Sequence, residues 1–388
     1  MGKRIRQSGA VSLFAVIFAA LLLTVLTVGF VKLMIREQMQ ATNNDLSQSA
    51  YDSALAGVED AKRAVRLCSS GSSAAACAEL EAPDDCKVVA RAGVSGDPAD
   101  NETIVQSNSG TGTGSDFDQA YTCVNIAMQT EDYVYTSSEG VSELIPLKAT
   151  GEISSIVLEW YAQRDVGAGI RAELPAGIAG VLTLPAKTDW GVNTPPLLRA
   201  QVITPGDSFS LGELDETAAS RTVFLRPVAI QSAPATDVPI DLSIMSRATD
   251  GAQHSNTVSG VPNCTSNFSN EGYSCRVILQ LPDDGKIAAG SETAFLRLNT
   301  IYKAATVRVS LKGSSATDPA VQFDGVQPKV DSTGRASSLF RRVEARLKIG
   351  QDFSYPNYAV DITNNLCKNF SVNADTAVNT SCDPTTGD

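Results

Sequence analysis

The sequence predicts an α+β fold in which a long N-terminal transmembrane and amphipathic helix carries a large, mainly antiparallel β ectodomain with disulfides. Three observations predict it. Residues Ala10 to Val31 run for 22 positions without a charge. An apolar stripe at helical spacing continues beyond that run, and no proline occurs between Met1 and Leu67. Past residue 150, short segments rich in β-branched and aromatic residues alternate with turn residues, and all eight cysteines follow the apolar run.

The helix comes first. At about 1.5 Å per residue the uncharged run is roughly 33 Å long, enough to cross a hydrocarbon core of about 30 Å. Lys3, Arg4 and Arg6 precede it, which keeps the start cytoplasmic and sends everything after Lys32 outward. Leu46, Ala50, Ala54, Val58, Ala61 and Val65 recur at steps of three or four, whereas Asp45, Asp52, Glu59, Lys62, Arg63 and Arg66 fall largely off that stripe. Gly29 and Gly57 weaken a helix by about 1 kcal/mol each without ending it. One helix is therefore expected over residues 10–67, with 10–31 transmembrane and the amphipathic half lying against a folded domain. A secretory signal peptide has a shorter apolar core, about 7–15 residues, and a small-residue cleavage site after it; Thr27 to Val31 offers none.

Residues 68–149 read as a loop-rich, cysteine-containing region with short strands. Cys68 to Cys86 is Ser-, Ala- and Gly-rich, Lys87 to Ala92 reads as a short strand, and Ser95 to Ser115 as a polar excursion of low complexity at its end. Ala120 to Ala127, Asp132 to Thr136 and Leu144 to Ala149 look like strands. Residues 150–349 read as a β-rich domain. Its strand candidates are Ile153 to Tyr161, Leu197 to Ile203, Thr222 to Ile230, Ile240 to Met245, Arg276 to Leu281, Ala294 to Tyr302, Thr306 to Leu311, Val321 to Val326 and Phe340 to Ile349. Gly167 to Gly191 reads as a long loop. Lys303-Ala304-Ala305 suits a hairpin between two alternating strands, and Asp331-Ser332-Thr333-Gly334 reads as a turn. Arg341, Arg342, Arg346 and Lys348 suit an edge strand, or contact with an acidic neighbouring subunit. Residues 350–388 form a C-terminal segment with two cysteines.

The start of the chain resembles a known family. Lys3-Arg4-Ile5-Arg6-Gln7-Ser8-Gly9 followed by Ala10-Val11-Ser12-Leu13-Phe14 is similar to the class III leader of type IV pilins, which implies cleavage by a prepilin peptidase between Gly9 and Ala10 and makes residues 1–9 a leader peptide. Ala50 to Ala61 resembles the alanine-rich second half of the helix in large minor pilins. The family usually has a Glu at the fifth mature position, and this chain has Phe14 there. The large minor pseudopilin of type II secretion is similar in lacking that Glu and in size.

The eight cysteines, Cys68, Cys77, Cys86, Cys123, Cys264, Cys275, Cys367 and Cys382, point to disulfides in an oxidising space. Proximity pairs Cys264 with Cys275 and Cys367 with Cys382, and leaves the other four to pair among themselves. A zinc site is disfavoured because there is no Cys-x-x-Cys and only one histidine, His254. No metal ligand is assigned and no cofactor is expected. The resemblance implies calcium as a candidate, and Asp361, Asn364, Asn365 and Asp383 offer oxygens without a recognisable spacing.

Enzymatic chemistry is not expected. His254 lies in a polar loop sequence with no Gly-x-Ser-x-Gly, and there is no phosphate-binding Gly-x-x-x-x-Gly-Lys loop. Asp283-Asp284 beside Pro282 and Gly285 looks like a turn. A net charge of −12 disfavours nucleic acid as a direct partner. The resemblance implies a structural pilin or pseudopilin subunit, inserted in the inner membrane as a precursor and then assembled into a cell-surface filament, with prepilin peptidase, other pilin subunits and the assembly platform as partners. An unpolymerised membrane-anchored adhesin is the alternative, and an anchored hydrolase ranks last.

Overall fold

The computed structural model describes residues 9–80, 86–96, 102–106, 119–175, 187–204, 220–228, 239–242, 259–268, 272–314 and 321–349. In chain order, α1 (Gly9–Ser69) is followed by α2 (Ala74–Leu80) and α3 (Val88–Arg91), then β1 (Thr103–Gln106), β2 (Gln119–Thr130), β3 (Asp132–Thr136), β4 (Ser142–Pro146) and β5 (Ser155–Ala162). After α4 (Gln163–Val166) come β6 (Leu197–Ile203), β7 (Ser220–Leu225), β8 (Ile240–Asp241), β9 (Ser259–Gly260), β10 (Asn263–Cys264) and β11 (Tyr273–Gln280). The last four strands are β12 (Phe295–Ile301), β13 (Thr306–Lys312), β14 (Phe323–Ala336) and β15 (Leu339–Arg346).

These strands build three sheets. The first, in order β1-β2-β14-β15, is antiparallel and faces α1. The second runs β10-β11-β5-β13-β3, with β8 beside β11, and the third runs β4-β12-β6-β7-β9. The second and third share one core that includes Trp160, Leu158, Ile156, Leu198, Leu296 and Val309. Alternation explains the layering: Leu296, Leu298 and Thr300 of β12 are buried, and the residues between them are half-buried. A second core lies between α1, α2, α3 and the first sheet, and includes Val58, Val65, Leu80, Val88, Val124 and Val330. The fold is thus α+β, with a long apolar N-terminal helix and a mostly antiparallel β ectodomain holding disulfides Cys68–Cys77, Cys86–Cys123 and Cys264–Cys275.

The long strand pair β2–β14 connects the two cores. Phe323, at the start of β14, is buried in the sandwich, while Val330 is buried under the helix. Between them the amide of Gln327 bonds both the N–H and the carbonyl of Val134 in β3, at 2.9 Å each. Arg346 and Asp132, at 2.7 Å, add an ion pair across the same junction.

Several local expectations are corrected. Residues 303–305 are not a hairpin connection: β12 pairs with β4 and β6 in the third sheet, whereas β13 pairs with β5 and β3 in the second. Each strand has one apolar face, and both faces are buried when the chain crosses from one layer to the other. Tyr302 turns that corner at φ +78°, a conformation uncommon for a bulky residue. Its ring lies 4.8 Å from that of Trp190, and the next residue, Lys303, donates to the Tyr161 hydroxyl at 2.8 Å. Residues 331–334 are not a turn either. They lie inside β14, and the chain reverses at Ser337, φ +54°. Lys87 to Ala92 holds the short helix α3 rather than a strand, because Val88 and Val89 both pack under α1 and neighbouring residues cannot share one face of a strand. A further helix, α2, stands in the Cys68–Cys86 loop, and β1 stands within the polar 95–115 stretch. The low-complexity residues 107–115 lie outside the described residues.

In the second sheet, Glu159 of β5 stands directly opposite Arg276 of β11 on one side and Arg308 of β13 on the other. The carboxylate is 2% exposed, and its oxygens lie 3.1 Å from Arg276 and 2.6 Å from Arg308. Removing one member of a buried ionic group leaves the others desolvated and uncompensated, which costs about 3–5 kcal/mol. Glu159→Gln should therefore lower the unfolding free energy obtained from a denaturant titration by an amount in that range, with Cys264–Cys275 still formed on a non-reducing peptide map.

Candidate functional site: the N-terminal helix and its seat

α1 is unbroken over 61 residues, a length of about 90 Å. It is long and apolar enough to cross a membrane. From Leu13 to Asp45 every residue is exposed; Phe14, at 78%, is among the most exposed large side chains. So long an uncovered apolar surface marks a membrane or protein interface. No acidic side chain lies between Leu13 and Val31. Gly9 and Ala10 begin the helix, and residues 1–8 lie outside the described residues.

The second half sits on the first sheet. Ala50, Ala54, Val58, Ala61 and Val65 of the expected stripe are buried, Leu46 is half-buried, and Ser53 and Ala64 join the buried face. Most of these side chains are small, so the axis lies close to the strands. Two glycines, one on each side of this contact, carry the consequence. A Cβ on Gly57 would overlap Ser332 Oγ and come within 2.9 Å of Val124 Cγ2. A Cβ on Gly334 would fall on the backbone of Ala50 and Ala54 and lie 2.9 Å from the Ser53 carbonyl carbon. The helix backbone and β14 are in direct contact there.

Two disulfides and several polar contacts fasten the upper end of the helix. Cys68–Cys77 ties its last turn to α2, and Cys86–Cys123 ties the segment before α3 to β2. Glu79 and Arg91 join α2 to α3 at 2.6 Å. The Tyr121 hydroxyl donates to Asp60 Oδ2 at 2.8 Å, bridging β2 and α1. At the lower end Arg341 Nε donates to Ser47 Oγ at 2.8 Å. β15 is an edge strand, and the basic residues of β15 and of the segment just after it find acceptors within the chain: Arg341 on Ser47, Arg342 on Asp331, Arg346 on Asp132 and, past the strand, Lys348 on Glu143.

Of the cysteine candidates, Cys264–Cys275 forms as expected, and the four left open pair as Cys68–Cys77 and Cys86–Cys123. Cys367, Cys382, His254, Asp361, Asn364, Asn365 and Asp383 lie outside the described residues. Among the described residues no group of three or more His, Cys, Asp or Glu is placed to hold a metal ion. Asp283-Asp284 form one short 3-10 turn. Sequence reasoning missed Gly57 and Gly334 as the contact between helix and sheet; the only signal was a glycine in each of two otherwise regular elements. No family model, curated protein or solved structure matches this chain.

Two predictions test the seat. Gly334→Ala should destabilise the ectodomain by about 3 kcal/mol or more, because a helix backbone cannot move aside as a side-chain tip can. Gly29→Ala, with nothing within 4 Å and in the half of α1 that touches no part of the domain, should leave the thermal unfolding midpoint of the ectodomain unchanged. The second concerns alkali. Burial raises the pKa of Tyr121 above that of an ordinary phenol, and Asp60 adds to the rise. Tyr133 and Tyr135 are raised as well, again chiefly by burial and then by Glu143. A phenol with a raised folded-state pKa contributes stability that is complete below its unfolded pKa, about 10, and is lost as pH climbs toward the folded value. Stability should fall steadily above pH about 10, with phenolate absorbance from these tyrosines appearing only as the chain unfolds.

Proposed function

We propose that this chain is a structural, non-enzymatic subunit of an extracellular filament of the type IV pilus kind, similar to a large minor pilin or to the large minor pseudopilin of type II secretion. The observation that carries the reading is the single helix whose first half is apolar and uncovered while its second half is seated on an antiparallel sheet. A plain membrane anchor needs no rigid continuation into the domain. A subunit moved from bilayer to filament gains from one, because force and register pass from the apolar half to the ectodomain without a hinge. The three disulfides suit a domain that works outside the reducing cytoplasm.

Under this reading a prepilin peptidase removes residues 1–9, and the partners are other pilin subunits and the assembly platform. Phe14 then favours the tip. In pilins the Glu at this position is held to pair with the N-terminal amine of the subunit ahead, since a charge in an apolar core is costly unless paired. A subunit without it makes no such pair upward, yet its own amine on Ala10 still accepts one from below. The tip is the one place where nothing upward is required.

Intact-mass analysis of the membrane-extracted protein should show loss of residues 1–9. A mature chain that still begins at Met1, or that begins beyond Val31, overturns the filament reading and leaves the unpolymerised adhesin. Gold labelling of sheared filaments should mark one end; label spaced along the shaft defeats the tip assignment.

A further inference from the structure

The two tryptophans of the chain have different surroundings. Trp160 is fully buried in the sandwich core, and its Nε1 donates to the Pro196 carbonyl at 3.0 Å. Trp190 follows a short 3-10 turn (Lys187–Asp189) on the connection between α4 and β6. It is half-buried and, like Tyr302 beside it, is not packed into that core. Its Nε1 is buried and, among the described residues, has no acceptor, so what the indole offers to solvent is carbon. The Tyr302 ring backs it at 4.8 Å and 36°, with the Tyr302 backbone at φ +78°. Strain of this kind persists only where surrounding contacts enforce it, and it gathers at binding sites. The turn is pinned on several sides. The Trp190 N–H donates to the Lys187 carbonyl at 3.2 Å, the Glu173 N–H to the Asn193 carbonyl at 3.0 Å, and the Lys303 ammonium to the Val192 carbonyl.

Oxygen acceptors stand beside the indole. The Asn193 amide donates to Glu173 Oε1 at 3.2 Å, while among the described residues no donor reaches Glu173 Oε2. A Cβ on Gly191 would come 3.2 Å from that same oxygen, so the carboxylate lies against the residue next to Trp190. Asp189, on the other side of Trp190, accepts only a long bond from Thr188, at 3.4 Å. Both carboxylates are exposed. The cluster stands at the end of the sandwich away from the first sheet. β3 leaves that junction at Asp132 and ends at Thr136, which pairs with Thr306 just past the Tyr302 corner.

We propose that Trp190 is the stacking platform of a binding site for a neutral saccharide, with Glu173 Oε2 and Asp189 accepting from its hydroxyls. This does not rest on the filament reading. The face of an indole is electron-rich and attracts the weakly positive C–H groups on one side of a pyranose ring. The hydroxyls around that ring then need a few fixed polar groups at the edge of the aromatic surface. Charge selects a neutral ligand. Glu173, Asp189 and Glu139 gather at the turn, whereas its two lysines are engaged, Lys187 with Glu139 and Lys303 with Tyr161 and Val192. An acidic sugar or a phosphate is repelled there. One platform on an exposed turn is also a poor match for an extended proline-rich peptide, which docks in an aromatic-lined groove.

The test applies the full-length protein, in a detergent without a sugar headgroup, to an array carrying neutral oligosaccharides, sialylated oligosaccharides and a proline-rich peptide. Retention on one or more neutral oligosaccharides is expected. Surface plasmon resonance on the best of these should show Trp190→Ala weakening binding at least tenfold and Glu173→Ala at least threefold, with Trp190→Phe between Trp190→Ala and the unaltered chain. The Cys264–Cys275 link on a peptide map and an unchanged far-ultraviolet circular dichroism spectrum check that each variant is folded. Retention of no neutral oligosaccharide overturns the proposal, as does retention of the sialylated glycans or the peptide alone. Undiminished affinity in Trp190→Ala overturns it too, and undiminished affinity in Glu173→Ala removes that carboxylate from the site.

Discussion

The backbone contact between α1 and β14 is the constraint on which the rest of the seat depends. A helix of ordinary composition packs with its axis held off by leucine- or phenylalanine-sized side chains. Here alanine, serine and glycine fill the buried face, and Gly334 lets β14 touch the helix at Ala50 and Ala54. Close approach maximises dispersion contacts but brings little large apolar surface out of water. On the helix, only Val58 and Val65 are large and well buried, at about 1.5–3 kcal/mol each. The seat therefore relies on shape, and the Cys68–Cys77 and Cys86–Cys123 links hold the chain around it. A nine-residue separation in the first suggests about 2.7 kcal/mol in the chain-entropy account.

The same constraint explains the division of the ectodomain. The first sheet gives one face to the helix, so it cannot also close the sandwich. β14 answers by being long: its Phe323 end is buried among the second and third sheets and its Val330 end beneath α1. β2 runs beside it over most of that length and passes into β3 at Glu131. One strand pair thus fixes the helix relative to the distal layers, and the Gln327 and Arg346 contacts to β3 hold the junction. Ion pairs at exposed positions add little. The Arg346–Asp132 pair at this junction is partly shielded and helps to set the orientation of β3 against β15.

The helix, the antiparallel strands and the Cys264–Cys275 pair were legible in the sequence because each rests on local information: a 3.6-residue stripe, a two-residue alternation, or a short loop between cysteines. What was not legible is non-local. Whether Lys303-Ala304-Ala305 reverses within a sheet or crosses between sheets depends on which partners β12 and β13 find, and those partners lie about a hundred residues or more away in β4, β5, β6 and β3. Gly334 looks like a turn residue in Asp331-Ser332-Thr333-Gly334, since turns and close approach call for the same residue. Only the helix against it tells them apart. α3 was misread because Val88-Val89 favours a strand locally, while the core beneath α1 takes both side chains together.

The uncovered half of α1 supplies the last step. A stripe that served only to seat the helix would end at Leu46, where the domain ends. Instead Ile35 and Met39 continue it at steps of four and seven residues, beyond the uncharged run and below the sheet, and both are exposed. Water is a poor solvent for that seam, and a bilayer core reached by Ala10 to Val31 does not extend to it, since Lys32, Arg36 and Glu37 stand in between. Single apolar side chains are common on a protein surface, but two that continue one helical stripe form a seam that a neighbouring helix can cover. A lone anchor leaves them in contact with water, whereas helices gathered side by side cover them. The spacing of these two residues is thus consistent with the proposed association of this helix with others, on grounds independent of the leader sequence and of Phe14.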